Sequence, residues 1–369
     1  GKDFDSALFN GFLSMHDASV NYADCDANFY FPNDTVSIRR NRLRFRDYRL
    51  KGANNNPITM RGSVDFTQSL SDPEINLTLK GEKTQIFKNN RRKNKQQYIY
   101  GTLPANVDLT IKGKVTDLDV KGNVSAIDGT NIVYYLEDDP LSSASKVDEL
   151  VDFVRFREVD RILPDRIDRP LNQTGSKDRL DVNLKLNIAN SAKVYVHLPT
   201  NEKDHVSLIG GGSLQLQADA EGSMVMSGLY DIKGGDLHYK LPMIPVSKDF
   251  DLSDQSWISW NGDVADPNIN LVAIEKVKST VNDQAGARVV NFDVNINISG
   301  TLNALDIAFN CDAPEDGNIS SELSSLTDEE RSKQALLLLI AQTYMGPGST
   351  SSMGLASANS MLNSLINKE

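Results

Sequence analysis

The chain has 369 residues, a formal net charge of −11 and 39% hydrophobic residues, enough for an ordered core. Its acidic balance argues against a nucleic-acid binder, which carries a basic footprint, and against broad attraction to anionic membranes. Two cysteines, Cys25 and Cys311, are too few for a disulfide framework or a cysteine-rich zinc site; they read as unpaired thiols, with a single long-range bridge as the alternative. No run approaches the ~18 apolar residues of a membrane-spanning helix, and no signal peptide is visible. The ends read as those of a piece excised from a longer protein.

Residues 1–136 form a series of short strands. Ile75, Leu77 and Leu79 share a face and stop at Gly81; Val107, Leu109 and Ile111 share another and stop at Gly113; Leu118, Val120 and Val124 follow, with Gly122 among them. Strand, glycine turn and strand at short spacing predict a β-meander. The basic run from Lys88 to Lys95 reads as a solvated hairpin tip, with a lipid-phosphate or acidic-partner site as the sharper alternative.

Residues 137–179 break the pattern. Val147, Leu150, Val151 and Val154 follow helical spacing behind a Ser145/Asp148 capping box, which predicts a short helix on a charged insertion or linker.

Residues 180–312 carry the clearest signal. Leu180, Val182, Leu184, Leu186 and Ile188 alternate with Asp181, Asn183, Lys185 and Asn187; Phe292, Val294, Ile296 and Ile298 alternate with Asp293, Asn295 and Asn297. Between them Leu214 and Leu216 share a face, as do Met224, Met226, Tyr230 and Ile232. Period-two alternation predicts half-buried antiparallel strands. Gly210-Gly211-Gly212 and Gly234-Gly235 read as turns between them.

Residues 313–369 change period. Thr327 and Glu330 form a capping box for an apolar helix through Ala335–Ile340, stopped by Gly346-Pro347; Leu355, Ala358, Leu362, Leu365 and Ile366 predict a second, amphipathic one.

Chemistry-bearing motifs are missing. His16, His197, His205 and His238 lack metal-ligand spacing, although His197 and His205 flank a turn and can approach each other. The triple glycine precedes a strand, not a helix N-terminus, so it is not a phosphate loop. Asp24/Asp26, Asp138/Asp139 and Asp263/Asp266 are pairs expected by chance among 50 acidic residues, and no nucleophile elbow appears. The sequence therefore predicts a non-enzyme with no catalytic residues, no metal and no cofactor.

The apolar faces need a cover. Either the sheet packs on itself as a sandwich or solenoid, or it curls into a trough whose inner face stays apolar. Each inward Leu, Ile or Met is worth roughly 1.5–3 kcal/mol when shielded. A long bare trough would cost more than a domain's net stability of about 5–15 kcal/mol, so it must be narrow or filled by a flexible apolar ligand. Periodicity alone leaves both open.

The stretch 208–273 bears on that choice. It runs Gly212-Ser213-Leu214-Gln215-Leu216, then Ser227-Gly228-Leu229-Tyr230-Asp231-Ile232-Lys233-Gly234-Gly235, Lys248-Asp249-Phe250, Trp257-Ile258-Ser259-Trp260-Asn261-Gly262-Asp263, and Asp266-Pro267-Asn268-Ile269-Asn270-Leu271. This order resembles the C-terminal domain of the TamB family, of the AsmA-like group, the inner-membrane-anchored part of the translocation and assembly module. Val294–Gly300, Ala313-Pro314, Leu336–Ile340 and, upstream, Gly101–Pro104 with Val115–Ser125 continue the resemblance.

The resemblance implies an all-β fold with a few short helices: an elongated curved antiparallel sheet, or β-taco, with an apolar concave groove. It implies a periplasmic protein, anchored to the inner membrane by regions outside this fragment, with two associated roles. One is carrying phospholipids between the membranes. The other is scaffolding outer-membrane barrel assembly or protein secretion by β-strand pairing with a TamA-like barrel partner. On the first, acyl chains lie against Leu184, Leu186, Ile188, Leu214, Leu216, Met224, Met226, Phe292, Val294, Ile296 and Ile298.

Overall fold

The computed structural model describes residues 8–22, 27–89, 99–136, 179–198, 203–219, 223–239, 247–283 and 286–346. The alternating pattern produces eighteen strands. They are β1 (Gly11–Ser14), β2 (Ser19–Tyr22), β3 (Ala27–Tyr30), β4 (Thr35–Arg39), β5 (Arg42–Leu50), β6 (Ile58–Asp65), β7 (Glu74–Asn89), β8 (Ile99–Lys114), β9 (Asp117–Ala126), β10 (Asn131–Tyr135) and β11 (Arg179–His197), followed by β12 (His205–Ala218), β13 (Met224–Tyr239), β14 (Lys248–Leu252), β15 (Trp257–Asp263), β16 (Asn268–Asp283), β17 (Gly286–Thr301) and β18 (Ala304–Asp312). Two helices follow, α1 (Gly317–Ser324) and α2 (Asp328–Ala341).

Sixteen strands form one curved, mostly antiparallel sheet, with β2 and β3 as a separate ribbon beside it. Strands on both sides of the 137–178 connection are neighbours in that sheet. Among the described residues parallel pairing occurs only there: β9 and β10 lie end to end against β8 on one side and run parallel to β11 on the other. The connection 137–178 is long enough for this. Parallel neighbours need a crossover of a dozen or more residues, because β11 must begin at the end of the sheet where β9 began. The helix read at 147–154, the segment 90–95 of the basic run, Cys25, Asp24/Asp26, Asp138/Asp139 and the helix read at 355–366 all lie outside the described residues.

Several expected turns are strand interiors. Gly81 sits within β7, Gly210-Gly211-Gly212 within β12 and Gly234-Gly235 within β13. The register slips between Ile209 and Gly210, opposite Ile232 and Gly234, leaving Lys233 unpaired. That bulge restores face parity: Tyr230 and Ile232 on one side of it and Leu237 and Tyr239 on the other point to the same face. Glycine is required at Gly235, where φ is +140° and an added Cβ would sit 1.9 Å from the Ser207 carbonyl oxygen.

The helical tail matches the expected capping box. Thr327 accepts from the Glu330 backbone N–H, and the Glu330 carboxylate accepts from the Thr327 N–H at 2.9 Å. Helix α2 stops earlier than expected, at Gln342 in the left-handed conformation. Helix α1 has no visible period in the sequence, because its buried apolar residues Ile319 and Leu323 are too few; Asp316 caps it, accepting from the Ile319 N–H.

Cys311 is a free, buried thiol, and burial pushes its pKa up to about 12. The folded protein is therefore expected to leave Cys311 unmodified by a thiol reagent at pH 8, with reaction appearing only on denaturation. Labelling before and after adding denaturant, in a chain whose Cys25 is replaced by Ser, checks this.

Candidate functional site: an apolar sheet face closed at both ends

Residues directly opposite each other in neighbouring strands point to one face, so the register lines up side chains across the sheet. One row runs Tyr48, Met60, Leu79, Leu109, Gly122, Leu184, Leu216 and Met226 across β5, β6, β7, β8, β9, β11, β12 and β13. A second runs Leu50, Ile58, Gly81, Val107, Val124, Leu186, Leu214, Gly228 and Trp260, ending on β15. A third joins Ala126, Ile188, Gly212, Tyr230, Ile258 and Ile269. At ~4.8 Å per strand, eight or nine strands make an apolar band roughly 35–40 Å long.

The opposite face is mostly polar, with Val225 and Leu229 exposed on it. Asn187 donates to Ser125 (3.3 Å) and accepts from Ser213 (3.0 Å), and Gln215 donates to Asn183 (2.5 Å). The shallow hollows of the sheet lie on this side, one of them lined by Lys112, Asp119, Lys121, Asp181 and Asn183. They are lined mostly by polar and charged side chains and carry no acyl-chain chemistry.

Burial along the apolar band is graded. At one end Val36, Phe45, Tyr48 and Met60 form a closed cluster with Met15 and Phe31 packed on it; Phe45 meets Tyr48 edge-on at 5.6 Å. At the other end the helices and the segment after α2 close the sheet. Phe292 (0% exposed), Val294, Ile296 and Ile298 are fully buried in one cluster with Leu338 and Leu339 of α2, and Tyr344 stacks on Phe292 at 5.0 Å. Between these ends Leu109, Ile111, Val120, Val124, Leu184, Leu186, Ile188, Leu216 and Met226 are only partly buried. Leu214 is buried, and Met224 is 49% exposed.

The eleven residues named from the sequence therefore divide. Leu184, Leu186, Ile188, Leu214, Leu216, Met224 and Met226 share one face of β11, β12 and β13. Phe292, Val294, Ile296 and Ile298 sit in the closed core further along. Sequence reading missed the contribution of β7, β8 and β9. Leu109, Ile111, Val120 and Val124 were visible as strand residues, but only strand order places them beside Leu184. The hydroxyl of Tyr230, where the open band meets the closed core, is buried without a hydrogen-bond partner among the described residues, and burial pushes its pKa up to about 12.

His197, His205 and His238 are directly paired across β11, β12 and β13 on the polar face. His205 stacks between Tyr195 and His238, and its Nε2 meets Asp236 at 2.9 Å. Among the described residues no group of His, Cys, Asp or Glu side chains is arranged to hold a metal ion.

Residues 46–369 match the family model for the TamB C-terminal domain. The chain belongs to the TamB family. A search of curated proteins finds no match to it. TamB proteins belong to the translocation and assembly system of the outer membrane, span the periplasm, and act as transport and assembly components, generally not as enzymes. No helix among the described residues is long and apolar enough to cross a membrane.

Proposed function

We propose that this TamB domain is a segment of a conduit for phospholipids between the inner and outer membranes. Acyl chains lie along the partly exposed band while head groups stay in water. One observation carries the reading: register-aligned apolar rows cross eight or nine strands, and between the closed clusters at their two ends β7, β8, β9, β11, β12 and β13 carry partly exposed apolar side chains. The band is longer than one bilayer leaflet's hydrocarbon depth, about half of ~30 Å. It spares a hydrocarbon tail the cost of crossing water. Met226 suits a surface that must fit varied chains, because its unbranched thioether adapts. In this reading 1–136 and 180–312 are two parts of one trough, 137–179 links them, the tail 313–369 brings the helices α1 and α2 that close it, and an anchor in the full-length protein holds it at the inner membrane.

The test is a photo-crosslinking amino acid placed singly at Leu184, Leu216 and, on the polar face, Gln215. Protein isolated from an envelope is expected to carry crosslinked phospholipid at the first two positions and none at the third. Equal crosslinking at all three overturns the conduit.

The alternative, a scaffold that pairs a strand with a TamA-like barrel, has less support at the β18 edge. There Ser332 of α2 donates to the Phe309 carbonyl at 2.7 Å, and α2 packs against the strand. The short edge strand β1 is the place that would serve it.

A further inference from the structure

The chain's net charge is −11, yet six arginines fall between residues 39 and 49 against a single aspartate, Asp47. Strand geometry aims five of them outward, and Arg40 lies in the turn between β4 and β5. Phe45 and Tyr48 both face the closed cluster because β5 bulges between them, with Asp47 at φ +54°. The bulge leaves Arg44, Arg46 and Arg49 exposed along one strand. Arg39, also exposed, lies directly opposite Arg42 on β4. Asp65 neutralises Arg42, and Asp47 neutralises Arg61. Among the described residues no carboxylate pairs with Arg39, Arg44, Arg46 or Arg49.

An exposed aromatic shares this face. Phe12 of β1 pairs with Ser37, and Ser37 pairs with Arg44, so the Phe12 ring stands on the arginine side of the sheet, 74% exposed.

We infer that the outer face of β1, β4 and β5 docks on an anionic phospholipid surface, with the guanidinium groups on phosphates and the Phe12 ring at the head-group boundary. Guanidinium is the side chain suited to phosphate because its planar fork donates two bonds at once. The overall negative charge does not oppose this at contact, since charges beyond about 8–10 Å are screened at physiological salt. An acidic protein would satisfy the arginines but gives no reason for a bare phenylalanine among them; a membrane boundary uses both. This site is on the face opposite the apolar band and stands independently of it.

The experiment is co-sedimentation of the full chain with vesicles of phosphatidylcholine alone or with a third phosphatidylglycerol, at about 0.1 M salt. Tighter binding to the anionic vesicles is expected. The Arg44→Glu/Arg46→Glu/Arg49→Glu variant is expected to lose about 100-fold or more, given roughly a factor of five per basic residue at a charged surface. Phe12→Ser is expected to lose several-fold, with the arginines intact. These residues are exposed, so both variants should keep the wild-type melting curve. Equal binding to both vesicle types, or binding unchanged by the triple variant, overturns the proposal. Full competition by millimolar inorganic phosphate assigns a discrete phosphate site instead, and competition by polyglutamate without effect of Phe12→Ser assigns an acidic protein; either outcome overturns the membrane surface.

Discussion

Aspartate at Ile296 is expected to unfold the C-terminal core, whereas aspartate at Leu184 is expected to leave the sheet folded and emptied of phospholipid. Both residues alternate perfectly with polar neighbours, and from the sequence they are interchangeable. Their surroundings differ. Ile296 is 1% exposed, flanked on β17 by Val294 and Ile298 and paired with Ala273 and Phe309. A carboxylate there has neither water nor a cation, and an unpaired buried charge costs several kcal/mol, a large part of a net stability of about 5–15 kcal/mol. Leu184 is partly exposed, between Gly122 on β9 and Leu216 on β12. A carboxylate there reaches water at a cost of about 1–2 kcal/mol, while placing a charge where the proposed acyl chain lies. Urea denaturation and phospholipid quantified in the purified protein separate the two. A folded Leu184→Asp chain that retains wild-type lipid content would remove the band from the transport path.

That contrast marks what the sequence carries and what it leaves out. Strand identity is local, and Leu180–Ile188 and Phe292–Ile298 announce it by alternation. The capping box at Thr327 and Glu330 is equally local, since both partners lie within one turn. Strand order is not local. Nothing in residues 117–126 says that β9 lies beside β11, because 137–178 stands between them in sequence and the pairing is parallel. For the same reason the strands of β7 to β9 could not be joined to the candidate band beforehand. Glycine misled in a consistent way. Glycine inside a long strand and glycine in a turn look alike in sequence, and here Gly81, Gly210 and Gly234 are strand residues whose neighbours continue the ladder. The family resemblance supplied the curved sheet, which periodicity could not separate from a sandwich. Which stretch of that sheet is covered depends on α1 and α2 docking on β16 to β18, a tertiary contact with no local signature.

The closure itself hangs on one buried polar side chain. Gln334 is 0% exposed within α2; its Nε2 donates to the Met345 carbonyl at 2.5 Å and its Oε1 accepts from the Met345 N–H at 3.2 Å. These two bonds hold the segment after the helix against the sheet, where the Tyr344 N–H donates to the Ser279 hydroxyl at 2.9 Å and the Tyr344 hydroxyl donates to Glu322 at 2.9 Å. Gln334→Leu keeps the volume but removes the amide, orphaning a backbone donor and acceptor at about 1–3 kcal/mol each. The expected loss is roughly 2–6 kcal/mol, with faster amide exchange at Tyr344 and Met345 and slow exchange preserved in β11 to β13. Gln342→Gly, at a left-handed position where glycine is unstrained, is expected to be neutral or slightly stabilising, which separates the amide pair from general sensitivity of the tail. If Gln334→Leu exposes Phe292, phospholipid should crosslink at Phe292 in the variant and not in the parent. Wild-type exchange at Met345 in Gln334→Leu would mean that apolar packing alone holds the end shut.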